Sequence, residues 1–342
     1  MNVNDSIRVE ELCECFLCGN RGRPLYRGLR DPVYSVPGLW DFSYCSSCHL
    51  AWLNPRPIRT DAGKAYPNYF THEMDPPQPR LQSLRKRLKN AVLSVGLGYD
   101  EVPIHLWWRW VGRFVNLSPA LRELVGVTIL YLPRSERGRL VDVGCGNGTF
   151  LATMRDLGWD VLGVEIDPEG ARVARDRYGL PVFAGNLEEA GLPDESVDVV
   201  TMSHVIEHVH EPIKLLRECE RVLKPTGKLI VLTPNVESLG HRLFKEFWRG
   251  LEPSRHLFLF SPRSLLLTAQ KAGFNAPIVT TSACTARYMY AASRQIRKRA
   301  VADFQPPLSA GSLAFGLAEN LFNVCSRKSG EEIALLAVKR ES

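Results

Sequence analysis

The stretch VDVGCGNGTF, residues 141–150, decides the fold. Its first residues belong to a buried-strand pattern that starts at Arg139, and its last two open an amphipathic segment, so the glycines fall on a strand-to-helix turn. Gly144, Gly146 and Gly148 let the chain turn sharply and let a ligand lie directly against backbone, where a Cβ would clash. Seventeen residues beyond Gly148, Glu165 ends the next apolar run, in VLGVEIDP. A carboxylate there can accept hydrogen bonds from both hydroxyls of a ribose. Turn, strand context and carboxylate together point to a nucleotide-type ligand.

Outward from the turn, short apolar runs alternate with longer amphipathic segments, which predicts βαβ units and a parallel sheet. Strands are expected at 139–145, 160–166, 181–186, 197–205 and 228–234, with helices near 149–158, 169–178 and 212–223. The last helix should stop at KPTG (224–227). An irregular segment, 236–260, precedes a helix at 261–274. Two late strands, near 277–285 and 332–339, are separated by a basic, partly helical insert, 286–330. Upstream, residues 1–70 are rich in cysteine, proline and glycine, and DPPQPR (75–80) reads as a linker. Leu81, Leu84 and Leu88 recur at helical spacing, and IHLWWRWVGRF (104–114) adds three tryptophans.

Hydrophobic residues make up 45% and charged residues 23% of the 342, an ordinary balance for a globular protein. The start shows no basic flank followed by an apolar run, and the longest apolar stretch, near VGVTILYL (125–132), falls short of the ~18 residues that span a bilayer. A cytoplasmic, reducing location is expected, where nine cysteines argue for metal binding or burial over disulfides. The net charge of +6 is too modest to imply nucleic acid. Between Asp75 and Val115, however, seven basic residues face three acids, and Arg294, Arg297, Lys298 and Arg299 form a second cluster. Solvated helix faces account for both; an anionic substrate or a membrane surface is the alternative.

Cys15-x-x-Cys18 and Cys45-x-x-Cys48 form two pairs separated by 26 residues. Each pair can present two thiolates from a tight knuckle, and together they complete a closed tetrahedral zinc site with no open position, hence a structural one. A β-hairpin can span the gap. Cys13 and His49 are spare ligands, while Cys145, Cys219, Cys284 and Cys325 are unpaired and read as buried or incidental.

A dinucleotide turn would read G-x-G-x-x-G, whereas this one reads D-x-G-x-G-x-G. It resembles the first motif of class I S-adenosylmethionine-dependent methyltransferases. GVEIDPEGARVAR, GNLEEAGLPDESVDVVTMSHVIEHV and LLRECERVLKPTGKLIVLTPN resemble the segments that follow it in that family. The resemblance, over about 138–285 plus the final strand, implies an α/β fold: a seven-stranded Rossmann-like sheet with only the last strand antiparallel, and S-adenosylmethionine across the C-terminal strand ends. It implies that Gly144, Gly146 and Gly148 form the methionine-side floor and that Glu165 holds the ribose. Asn186, where the family usually has aspartate, would lie near the adenine amine with Leu187 beside it. Asp142 would orient the first loop or the amino group, and Ser203 and His204 would lie beside the sulfonium. EPSRHLFLFSP (252–262) resembles a segment of small-molecule methyltransferases, which places His256 in the substrate pocket with Arg255 near it.

His204, His208 and His256 are the candidates for a catalytic base where the acceptor must lose a proton. Glu207 and His208 carry metal-ligating groups, but a solvated or capping role is expected of them. The Asn/Asp-Pro-Pro-Tyr/Phe segment of exocyclic-amine methyltransferases is replaced by SHVIEH, which favours an oxygen or carbon acceptor. DPVYSVPGLWDFSYCSSCHLAWLNPRP (31–57) resembles the N-terminal zinc-binding module of some bacterial methyltransferases, including sugar-pathway enzymes. The expected organisation is therefore a zinc module over 1–70, a linker and helical segment over 71–137, and a methyltransferase domain over 138–342 with a helical insert at 286–330. The expected reaction is methyl transfer to a small or saccharide-like acceptor, with lipid-linked or peripheral membrane contact through the basic, tryptophan-rich helices as a further expectation. The alternative is an RNA methyltransferase, disfavoured because no basic motif interleaved with aromatics is present. The sequence leaves the oligomeric state open.

Overall fold

The computed structural model describes residues 7–66, 82–116 and 129–340. The linker expected at 75–80 lies outside the described residues, as do Leu81 and part of 125–132. The chain divides into two compact units. The first gathers Met1–Asn68, Ser203–Glu220 and Val231–Arg340; the second gathers Tyr69–Met202 and Arg221–Ile230.

In the N-terminal region, β1 (Val9–Glu10) pairs with β5 (Arg56–Pro57), while β2 (Arg23–Leu29), β3 (Trp40–Tyr44) and β4 (Ala51–Leu53) form an antiparallel meander. The β2–β3 hairpin spans the gap between the two cysteine pairs. Trp52, fully buried on β4, donates its indole N–H to the Leu12 carbonyl at 2.7 Å.

In the second unit, α1 (Gln82–Leu97) packs on α2 (Leu106–Asn116) so closely that a Cβ on Gly112 would sit 2.7 Å from the Ala91 carbonyl oxygen. The tryptophan stretch lies on α2. Trp108 is buried, but Trp107 and Trp110 are about 60% and 59% exposed, and Arg113 stacks over the Trp110 ring at 4.8 Å. Next come β6 (Arg139–Val143), α3 (Thr149–Asp156), β7 (Asp160–Glu165), α4 (Pro168–Tyr178), β8 (Val182–Ala184) and β9 (Val197–Ser203). Leu140, Val141 and Val143 are all buried, the near-continuous apolar pattern of a parallel strand covered on both faces. Asp167 caps α4 by accepting from the Glu169 and Gly170 N–H groups, Pro168 supplies a preset φ, and Gly179 ends the helix in the left-handed region.

α5 (Pro212–Val222) leads directly into β10 (Leu223–Pro234). The helix stops at KPTG as expected, and the strand has already begun there. The chain turns within the first residues of the strand, with Thr226 at φ 62° and no room for a Cβ at Gly227, which would meet the Lys224 carbonyl oxygen at 2.8 Å. Beyond it lie α6 (Leu239–Phe244), β11 (Phe258–Leu259), α7 (Pro262–Ala272), β12 (Asn275–Ser282), α8 (Ala286–Arg299), α9 (Ala310–Ser326) and β13 (Glu332–Val338). The expected insert is thus two helices.

Seven strands form one sheet in the order β12-β13-β10-β9-β6-β7-β8. β6 runs parallel to β7 and β9, β7 parallel to β8, and β13 antiparallel to β12, as expected for the last strand. A second sheet, β11-β4-β3-β2, joins the segment after β10 to the N-terminal meander through Phe258↔Trp52 and Leu259↔Ala51. Among the described residues no helix is long and apolar enough to cross a membrane.

Candidate functional site

The glycine turn in the second unit is built as the sequence requires. Gly144, Gly146 and Gly148 all lie in the left-handed region (φ 72°, 53° and 78°), where side chains are strained. The Gly144 N–H donates to the Val164 carbonyl at 2.7 Å, pinning the turn to the end of β7. A Cβ on Gly148 would meet Leu180 and Ala174 at 2.7 and 2.8 Å. Glu165, at the end of β7, is buried, and its two carboxylate oxygens accept the N–H of Gly146 at 2.7 Å and of Asp167 at 2.9 Å. Burial raises its pKa in spite of these donors. Asp142, on β6, accepts from the Thr201 hydroxyl at 2.7 Å, and burial with Glu165 nearby pushes its pKa up to about 7. The Asn186 side-chain oxygen accepts from the Glu189 N–H at 2.9 Å, and Leu187 is buried.

Ser203 ends β9 and belongs to the first unit with the three histidines. His204 stands in the left-handed region at φ 55°, with Nε2 3.0 Å from Glu332 and Nδ1 3.4 Å from Glu207. Desolvation opposes its protonation, but the two carboxylates win and raise its pKa well above the usual value. Glu207 is fully buried, which overturns the solvated role expected for it, and one oxygen accepts from the Thr233 hydroxyl at 2.9 Å. His208 and His256 stand with ring centroids 4.8 Å apart. His208 Nδ1 lies 2.9 Å from the Tyr66 hydroxyl and 3.0 Å from the Arg255 carbonyl, while His256 Nδ1 lies 2.8 Å from the Gly250 carbonyl. Burial pushes the His256 pKa down to about 4.

Arg255, expected near the pocket with His256, has its side chain engaged in ion pairs. Its guanidinium is fully buried against Asp31 at 2.7 and 3.1 Å, Glu252 at 3.1 Å and the Tyr34 ring at 4.5 Å. Glu332, Thr233, Tyr66 and Asp31 are residues that sequence reasoning missed. No local motif marks them, because each is joined to its partner across more than 25 positions.

The Sγ atoms of Cys15, Cys18, Cys45 and Cys48 all lie within 4.8 Å of one another. The two knuckles repeat one hydrogen-bond pattern. Cys15 N–H donates to Asn20 and Gly19 N–H to Cys15; Cys45 N–H donates to Leu50 and His49 N–H to Cys45. Gly19 and His49 hold the same knuckle position, at φ 71° and 58°. His49 therefore serves the turn rather than the sulfur cluster, and its Nδ1 meets Glu237 at 2.6 Å. Cys13 is exposed, its sulfur 3.9 Å from Glu11.

Residues 116–277 match a family model described as a methyltransferase domain. The ubiquinone biosynthesis O-methyltransferase of Cereibacter sphaeroides is 33% identical over 191 residues, 49% of this chain and 77% of that protein. This chain belongs to the S-adenosylmethionine-dependent methyltransferases. The methyltransferase is also 38% identical, over 104 residues, to a probable S-adenosylmethionine-dependent methyltransferase of Mycobacterium tuberculosis, where the match spans 30% of this chain and only 38% of the relative. A solved S-adenosylmethionine-dependent methyltransferase from Archaeoglobus fulgidus is 20% identical with a TM-score of 0.43, covering 69% of this methyltransferase and all of that chain.

Proposed function

We propose that this methyltransferase uses S-adenosylmethionine to methylate an oxygen or carbon of a small or saccharide-like acceptor. The observation that carries the reading is the left-handed glycine turn with the Glu165 carboxylate against it. Among relatives, ubiquinone biosynthesis and malonyl-[acyl-carrier protein] O-methyltransferases favour an oxygen acceptor. When bound, S-adenosylmethionine supplies an electrophilic methyl carbon, so the chain's own task is alignment and, where needed, removal of a proton.

Gly144 and Gly146 leave the turn free of side chains on the ligand side, while Gly148 lets the start of the helix pack against Ala174 and Leu180. Glu165 accepts the ribose hydroxyls while its backbone contacts hold the loop. Asp142 orients the loop or the cofactor's amino group, and Asn186 and Leu187 complete the cofactor contacts. Toward the acceptor, His208 and His256 are better placed as bases than His204. Their Nδ1 atoms face carbonyl oxygens, which only accept, so the free lone pair is on Nε2. His204 lies between two carboxylates and donates through Nε2 to Glu332.

Cys15, Cys18, Cys45 and Cys48 hold a structural zinc ion in this reading. The fit supports it: the Cys18 and Cys45 sulfurs are 3.5 Å apart, against about 3.8 Å for a tetrahedron with bonds of about 2.3 Å. The zinc module of 1–70 and the methyltransferase domain of 138–342 remain the organisation we propose.

Glu165→Ala tests the cofactor assignment. Losing two charge-assisted hydrogen bonds at about 1.5 kcal/mol each should weaken S-adenosylmethionine binding by about 100-fold in calorimetry. Unchanged affinity with an intact fold would refute the assignment.

A further inference from the structure

We propose that Glu207, His208 and His256 form a site for a divalent transition-metal ion, separate from the four cysteines. One donor atom from each of the three lies within 4.8 Å of the others. Two imidazoles and one carboxylate are a donor set suited to such ions, and three protein ligands leave coordination positions open.

The surroundings are built for ligation. Each histidine turns Nδ1 to a backbone carbonyl, His208 to Arg255 at 3.0 Å and His256 to Gly250 at 2.8 Å. That outer contact fixes the tautomer with the proton on Nδ1 and leaves Nε2 as the ligand atom, the arrangement by which metal-binding histidines are oriented. Tyr66 adds a second restraint on His208 Nδ1 at 2.9 Å. Glu207 is oriented in the same way. Its Oε2 accepts from Thr233, while its Oε1 is buried without a hydrogen bond, 3.4 Å from His204 Nδ1. A buried carboxylate oxygen in that state is an available ligand atom. The Glu207 carbonyl accepts the Leu257 N–H at 2.8 Å, which ties the Glu207–His208 pair to the strand entry that carries His256.

Two neighbours compete with the ion, and neither displaces the set. His204 shares Glu207 but is held at its other nitrogen by Glu332. Glu252 comes within 3.9 Å of His256 Nε2, but both of its oxygens are engaged by Arg249 and Arg255. On the methyl-transfer reading, from which this consequence alone follows, ligation takes up the Nε2 lone pairs of His208 and His256, so the ion replaces them as the activating group: the open positions would take the acceptor's oxygen and lower its pKa.

The test uses Mn2+, which the four-sulfur site disfavours, on the full chain carrying a single equivalent of zinc for the four thiolates, with excess zinc removed. Electron paramagnetic resonance should show one bound Mn2+ per chain, and pulsed measurements should resolve two imidazole nitrogens coupled to it. His208→Ala should leave one nitrogen, and Glu207→Gln and His256→Ala should each weaken binding at least 10-fold. Zinc content and S-adenosylmethionine affinity, measured on the same samples, report whether a variant has kept its fold. Should the variants lose both, the nitrogen count on the unaltered chain decides by itself. Absent Mn2+ binding, or bound Mn2+ without imidazole nitrogens, would overturn the site. Metal binding without S-adenosylmethionine binding would leave the site standing and sink the methyl-transfer reading instead.

Discussion

A Cys45→Ser chain is expected, on the proposal that the four cysteines hold zinc, to lose the ion and, with it, the order of the N-terminal sheet. Cys45 follows β3 directly, its sulfur lies 3.5 Å from that of Cys18, and it accepts the Cys48 N–H at 3.4 Å. One substitution therefore removes a ligand and an anchor of the second knuckle. Binding of a structural zinc ion contributes about 10–16 kcal/mol in small zinc domains, and that binding energy is folding energy. Losing one thiolate of four should drop zinc content from one per chain to near zero and weaken the packing of Trp52, whose indole depends on Leu12 upstream of the first knuckle. Metal analysis and the near-ultraviolet signal of the tryptophans would read both effects. Cys13→Ser, at an exposed position, should change neither. Full zinc content in Cys45→Ser would refute the ligand set.

Local chemistry explains what could be read from the sequence. Three glycines at alternate positions are legible because a left-handed turn excludes side chains, and the strands around them because burial on both faces leaves continuous apolar runs. The cysteine pairs are legible because a knuckle closes within five residues. His49 shows the limit of that reading. Next to two cysteines it reads as a spare ligand, yet the repeated hydrogen-bond pattern assigns it the position that Gly19 fills in the first knuckle. The KPTG stop ends the helix as read, but proline and glycine mark a turn without showing whether a strand has already begun on its near side. Illegible altogether are pairings such as His204 with Glu332, 128 positions apart, since a single sequence carries no trace of which buried carboxylate meets which cation.

The Asp31–Arg255 pair is the strongest such case, and Asp31→Ala is expected to cost about 3–5 kcal/mol in the unfolding of the first unit. Both side chains are fully buried, 224 positions apart, with two nitrogens of Arg255 on the two oxygens of Asp31. Asp31 also accepts the N–H groups of Val33 at 3.0 Å and Val36 at 3.2 Å, so it shapes its own loop as well as neutralising the guanidinium. Its removal leaves Arg255 buried with Glu252 as its remaining acidic partner, and Glu252 is shared with Arg249. A denaturant midpoint shift matching less than about 1 kcal/mol would show that the pair is solvated instead, as exposed pairs are. Pairing the change with Arg255→Met should cost less than the sum of the two single changes, because the stranded charge is then gone. The sign with pH follows from the same contacts. Burial alone would raise the Asp31 carboxyl, but Arg255 and the backbone donors bring it below the ordinary carboxylate range. Its contribution is therefore full above about pH 4 and is lost as the pH falls through the folded-state value. Asp31→Asn, which keeps the shape without the charge, should be destabilised at neutral pH and should lose that acid-side dependence.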